Sequence, residues 1–94
     1  MRPERYRDEL VILEQILISL NGSSKKKSKI MFDVFLTSRQ LKSFMYFLAE
    51  NDLVRHNSED STYTTTIRGI ELLQLIKSLR GYLDKSPAAL ADTV

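Results

Sequence analysis

The chain contains no cysteine and no tryptophan. Without cysteine, neither a disulfide framework nor a thiolate metal site can be built. The single histidine, His56, cannot make a metal site alone, and no carboxylates stand at a recognisable ligand spacing around it. Three glycines and two prolines are spread over 94 residues, so there is no glycine-rich loop to cradle a phosphate. No nucleophile–base pair is legible either. The most apolar stretch, Leu10 to Leu20, is interrupted by Glu14 and Gln15. It falls short of the roughly 18 residues that a membrane span needs. The opening Met-Arg-Pro-Glu-Arg-Tyr-Arg is charged, and no signal-type apolar core follows it. These absences predict an intracellular protein with no cofactor, no metal, no small-molecule ligand and no enzymatic activity.

What is present suits one small soluble domain. Of the 94 residues, 43% are hydrophobic and 28% charged, the balance of a globular chain with room for one modest core. The net charge of +2 says little, but its distribution says more. Residues 1–20 hold three cations and four acids, and residues 48–94 hold five and seven. Residues 21–47 hold six cations (Lys25, Lys26, Lys27, Lys29, Arg39, Lys42) against one acid, Asp33. Positive charge gathered in one segment is the electrostatic footprint of a nucleic-acid face.

Thr37 to Asn51 is the best-marked element in that segment. Thr37 and Gln40 have the spacing of a capping box, and Asn51 is a residue that tolerates the left-handed conformation closing many helices. Leu41, Phe44, Met45 and Leu48 fall on one helical face. Ser38 opens the helix, and Arg39, Lys42, Ser43 and Tyr46 fall on the face opposite the apolar one. Cations and hydroxyls are what a groove-reading helix needs for phosphates and base edges. An ordinary solvated helix face would look similar, so the surroundings must decide. Just upstream, the lysines lead into Ile30-Met31-Phe32-Asp33-Val34-Phe35, read as a helix from about Lys26 to Phe35. Phe35-Leu36 leaves room only for a sharp crossing of two packed helices. Together the two make a helix-turn-helix with its lysines beside the phosphate backbone, although lysine runs are also commonly just solvated.

The flanks complete the pattern. A first helix is expected from about Glu4 to Leu20, with Pro3 in its opening turn and Asn21-Gly22 as its stop. It is apolar around most of its circumference, which calls for cover on more than one side. A partner subunit or a loosely packed monomer would each account for that. After Asn51-Asp52 the period becomes alternating. Leu53 to His56 and Thr62 to Thr65 read as strands joined by the polar turn Asn57 to Ser61, which makes a wing. His56 and Arg55 would be exposed on it. Thr66 is the expected N-cap of a last helix from Ile67 to about Asp84. Its Leu72, Ile76, Leu79 and Leu83 are spaced 4, 3, 4, as in a coiled coil. The fold class is therefore mostly α with a small β-hairpin. A winged-helix domain would occupy 1–66, a dimerisation helix 67–84 and a flexible tail 85–94.

Several local patterns resemble a known family: Ser28-Lys29-Ile30-Met31, Phe35-Leu36-Thr37, Gln40-Leu41-Lys42, Leu48-Ala49-Glu50-Asn51-Asp52-Leu53-Val54 and Tyr63-Thr64-Thr65-Thr66-Ile67-Arg68-Gly69. Over roughly residues 5–83 the chain resembles archaeal winged-helix DNA-binding proteins of the small, ten-kilodalton chromatin-protein type. The resemblance implies a homodimer, paired through an antiparallel coiled coil of last helices, that binds double-stranded DNA in the nucleoid as a chromatin protein or transcription regulator. Two positions depart from that family. It has glycine where Asp52 stands, and Glu59 and Asp60 put acids at the wing tip, leaving Arg55 as the wing's contact or none. The residues expected at DNA are Lys25, Lys26, Lys27, Lys29, Ser38, Arg39, Lys42, Ser43, Tyr46 and Arg55. Those expected at the dimer seam are Leu72, Ile76, Leu79 and Leu83. A winged-helix module that binds protein instead, through its aromatic surface and last helix, is the alternative.

Overall fold

The computed structural model describes residues 3–82, with side chains from residue 9 onward. Leu83, the end of the expected last helix and the expected tail at 85–94 lie outside the described residues. The architecture is a winged helix-turn-helix: helix α1 (Pro3–Leu20), strand β1 (Lys25–Lys26), helices α2 (Lys27–Val34) and α3 (Ser38–Glu50), strands β2 (Val54–Asn57) and β3 (Thr62–Thr65), and helix α4 (Ile67–Tyr82). The expected hairpin is there, β2 and β3 pairing antiparallel with Arg55 opposite Thr64 and His56 opposite Tyr63. It gains a third strand, giving the order β1-β3-β2. The second helix was expected to open at about Lys26, with Lys25 just before it. The two lysines form instead an edge strand opposite Tyr63 and Thr62. Two residues are too few to show a period, so nothing in the pattern marked them.

The core joins three helices. Ile16, Leu17 and Leu20 of α1, Ile30 of α2, and Leu41 and Leu48 of α3 have no exposed surface. Each such side chain contributes about 1.5–3 kcal/mol by leaving water. α1 is central, touching α2, β3 and α4. α4 lies along one side of its broad apolar circumference, while Leu10 (39% exposed) and Ile18 (49% exposed) stay at the surface. The Arg80 guanidinium at the far end of α4 holds the buried carboxylate of Glu14 on α1. Thr65 on β3 adds a hydroxyl bond to the Leu17 carbonyl (3.2 Å).

The capping box forms as its spacing predicts. Gln40 N–H donates to Thr37 Oγ1 (3.2 Å) and Thr37 N–H donates to Gln40 Oε1 (3.0 Å). The other end of α3 differs from expectation by one residue. Asn51 has φ −96°, and the left-handed position is Asp52, at φ 57°. Leu53 N–H reaches Leu48 O (2.8 Å) and Asp52 N–H reaches Ala49 O (3.0 Å), the paired bonds of a Schellman closure. Leu48 and Leu53, both buried, make its apolar contact. A left-handed residue is where glycine is most at ease, which accounts for glycine at the Asp52 position in the family that this chain resembles. α2 ends in a similar way at Phe35, with φ 56° and ψ 44°, its N–H bonded to Met31 O. A bulky residue held there costs on the order of 1 kcal/mol or more.

Three successive carbonyls after α3 receive the start of α4. Arg68 Nε donates to Asn51 O (3.0 Å), Thr66 Oγ1 to Asp52 O (2.7 Å) and Thr66 N–H to Leu53 O (3.1 Å). Thr66 Oγ1 also caps α4 by accepting from Gly69 N–H (3.0 Å). α3, the wing and the last helix therefore meet at one hydrogen-bonded joint.

Candidate nucleic-acid interface

α3 buries Leu41, Met45 and Leu48 and turns Ser38, Arg39, Lys42, Ser43 and Tyr46 to solvent. Tyr46 is 69% exposed. Ser43 Oγ bonds back to the Arg39 carbonyl (3.5 Å). The Arg39 guanidinium, the Lys42 ammonium and the Tyr46 phenol have no hydrogen-bond or ion-pair partner among the described residues. One acid, Glu50, shares the exposed side at the C-terminal end of the helix, away from Arg39. Neither α2 nor α3 has an acid in its first turn. Helix N-termini usually recruit acids, because the macrodipole is positive there. Here cations stand at those ends instead, so their field adds to that of the free N–H groups.

The lysines divide into two kinds. Lys26 on β1 and Lys29 on α2 are exposed, while Lys27, the first residue of α2, is half-buried. Lys25 is committed to the fold. Its ammonium donates to Asp33 Oδ2 (2.8 Å) and to Ser19 Oγ (3.2 Å), and Ser19 Oγ donates to the same carboxylate (2.9 Å). Lys29 meets Asp33 Oδ1 at 3.2 Å. Lys25, then the Ser19 hydroxyl, hold the Asp33 carboxyl at about 2, below its ordinary 3.8. The one acid of the basic segment is thus neutralised inside it. Sequence counting included Lys25 with the others because the i, i+8 pair crosses from a strand to a helix.

The wing carries Arg55 exposed on β2 and His56 against Tyr63, ring centroids 4.6 Å apart. One of its tip acids, Asp60, has a local role that a charge count does not reveal. Asp60 Oδ1 accepts from Thr62 Oγ1 (2.6 Å) and Thr62 N–H (3.2 Å), and Asn57 Oδ1 accepts from Glu59 N–H (3.1 Å). Such side-chain bonds to the chain two residues on are how Asn and Asp build turns. The Thr62 hydroxyl lowers the Asp60 pKa from its ordinary value.

The expected dimer stripe is split. Ile76 is buried in its own chain, at 4% exposed, and Leu72 is half-buried against the core. The exposed residues are Leu75 (66%), Leu79 (45%) and Tyr82 (87%). With Leu72 they form a row at 72, 75, 79 and 82, again a heptad spacing but rotated away from Ile76. The reason is geometric: α1 takes the Ile76 side of α4. Also unforeseen are Phe32 on α2 (71% exposed) and Phe35 at its C-terminal end (90% exposed). A helical wheel through Ile30 and Val34 could have placed Phe32 outside.

These features define a winged helix-turn-helix domain, a class that in general binds DNA. A family profile described as winged helix-turn-helix matches residues 6–83, and the chain belongs to that family. It is also similar to an uncharacterised protein of Methanocaldococcus jannaschii, 30% identical over 77 residues, or 82% of this chain. The chain spans 36% of that relative's length. No helix of the described residues is long and apolar enough to cross a membrane.

Proposed function

We propose that this protein binds duplex DNA as a homodimer, with α3 in the major groove and the β1–α2 lysines on the flanking phosphates. It serves as a transcription regulator or as a nucleoid-associated chromatin protein. The observation that carries this reading is the outer face of α3, where Arg39, Lys42, Ser43 and Tyr46 stand exposed. A guanidinium can take guanine edges, while ammonium and hydroxyl groups take phosphates. Lys26 and Lys29 extend the positive surface beside it, and Arg55 on the wing can add one contact.

The test is affinity for random and genomic duplexes across a salt series. Counterion release predicts a linear fall of log K with log salt, steeper by about 0.9 for each phosphate contacted. Equal affinity for both duplex sets assigns an architectural role, and a marked preference for some genomic sites assigns a regulator. An affinity that is negligible at low salt would discard the DNA reading in favour of a protein-docking module, to which the acidic wing tip is better suited.

A further inference from the structure

Two phenylalanines lie in water next to the core. Phe32 sits on the outer face of α2, 71% exposed, and Phe35 follows in the turn, 90% exposed. Phe35 is held at φ 56°, a region that bulky residues rarely occupy. An outlier that displays a ring to solvent, where glycine would relieve it, points to a use for the ring. Lys29, one turn before Phe32, places its ammonium 5.0 Å from that ring's centroid. The only acid of α2, Asp33, is taken up by Lys25 and Lys29. The surface thus offers two exposed rings, one of them, Phe32, with the Lys29 cation over it.

A partner complementary to it must be anionic and must present planar apolar faces. Unpaired nucleotides combine both in each repeating unit, and aromatic rings in a positive field are how single strands are held. A duplex keeps its base faces stacked inside and shows only edges and phosphates, so it has nothing for these rings to stack on. We propose that Phe32 and Phe35, with Lys29, form a stacking platform for the bases of single-stranded DNA beside the duplex-reading helix. The protein would then hold places where duplex passes into unpaired strand. This rests on the nucleic-acid reading above and adds a second substrate to it.

Three labelled probes of equal length test it by fluorescence anisotropy: an oligothymidine, an abasic oligomer of the same backbone charge, and a duplex. Wild type should prefer oligothymidine to the abasic strand by on the order of tenfold or more. A variant carrying Phe32→Ala and Phe35→Gly removes both rings, and glycine suits the left-handed backbone. It should bind the two single strands equally while keeping its duplex affinity within about twofold, since phosphates carry that binding. Phe32→Leu keeps apolar bulk without a flat ring and should also weaken the preference. If wild type does not distinguish thymidine from abasic strand yet binds duplex, the platform is wrong and duplex binding stands. Failure to bind any probe overturns both. Should the double variant lose self-association in light scattering while its thymidine affinity is unchanged, the rings dock protein and the proposal falls.

Discussion

Gly69 lies so close to Leu53 that a Cβ at the glycine would stand 2.1 Å from the Leu53 carbonyl oxygen and 2.7 Å from Thr65 Cγ2. That oxygen is fixed by the Thr66 N–H it accepts, so it cannot swing aside without breaking the joint that seats α4. Gly69→Ala should therefore lower stability by at least the roughly 1–3 kcal/mol typical of overpacking, despite alanine's better helix propensity. Urea unfolding of the variant measures this. A midpoint equal to or above that of wild type would show that α4 can ride up without cost.

Asp33 makes the fold sensitive to acid. Its folded pKa, about 2, is below the ordinary 3.8 because Lys25 and Ser19 bond the charged form. A depressed carboxyl stabilises the fold above its unfolded pKa and loses that contribution as pH falls through the folded one. Wild type should thus lose stability between about pH 4 and about pH 2, and Asp33→Asn should lose less over that window. Asp60 is shifted in the same direction, so it is the difference between the two proteins that carries the result. The same variant should bind DNA more tightly at low salt, because Lys25 and Lys29 lose the acid that neutralises them. Parallel acid melting curves would remove Asp33 from the account.

The elements visible in the sequence are those whose signals are local. Thr37 with Gln40, Asn21 with Gly22, Thr66 as a cap, and the apolar face of α3 are set within a few residues, and each forms as its spacing predicts. What was not legible depends on distant segments. Lys25 and Lys26 become a strand only because β3 offers them an edge, and Ile76 is buried only because α1 lies beside it. The left-handed residue moved from Asn51 to Asp52 since the closing bonds are counted from Leu48. At the site, the outer residues of α3 were readable from helical periodicity. The commitment of Lys25 to Asp33 was not, for it needs the β1–α2 corner to exist first.

Among the cations, the site divides by effect. Lys26→Ala and Lys42→Ala should weaken binding by similar factors on every duplex, each flattening the salt slope by about 0.9 if it removes one phosphate contact. Arg39→Ala should cost on the order of 1–3 kcal/mol on a preferred site and relax the preference there. Lys25→Ala should appear first as a lower melting temperature, because it strips Asp33 of its nearest cation. Affinities on random and preferred duplexes, measured alongside thermal melts, separate the three patterns. A sequence-independent loss for Arg39→Ala would make it a phosphate contact.

Dimerisation should pass through the exposed row of α4, and the burial pattern supplies the controls. Leu75, Leu79 and Tyr82 stand in water along with the half-buried Leu72, whereas Ile76 is closed off by its own chain. Each leucine of the row would gain roughly 1.5–3 kcal/mol on burial. The row repeats at heptad spacing, so two copies of α4 can bury one another along it. The resemblance implies antiparallel pairing, and the row has no charged or amide side chain to specify direction. Leu75→Glu and Leu79→Glu should each give a folded monomer, since neither side chain supports the core. Ile76→Glu should unfold the domain instead, because it buries a charge without a partner. Loss of the second reading helix should lower affinity for DNA by on the order of a hundredfold or more. Light scattering and thermal melting together decide the matter. Wild type that scatters as a monomer at micromolar concentration, or a Leu79→Glu variant that stays dimeric, would place the contact elsewhere and leave the exposed row of α4 without a partner.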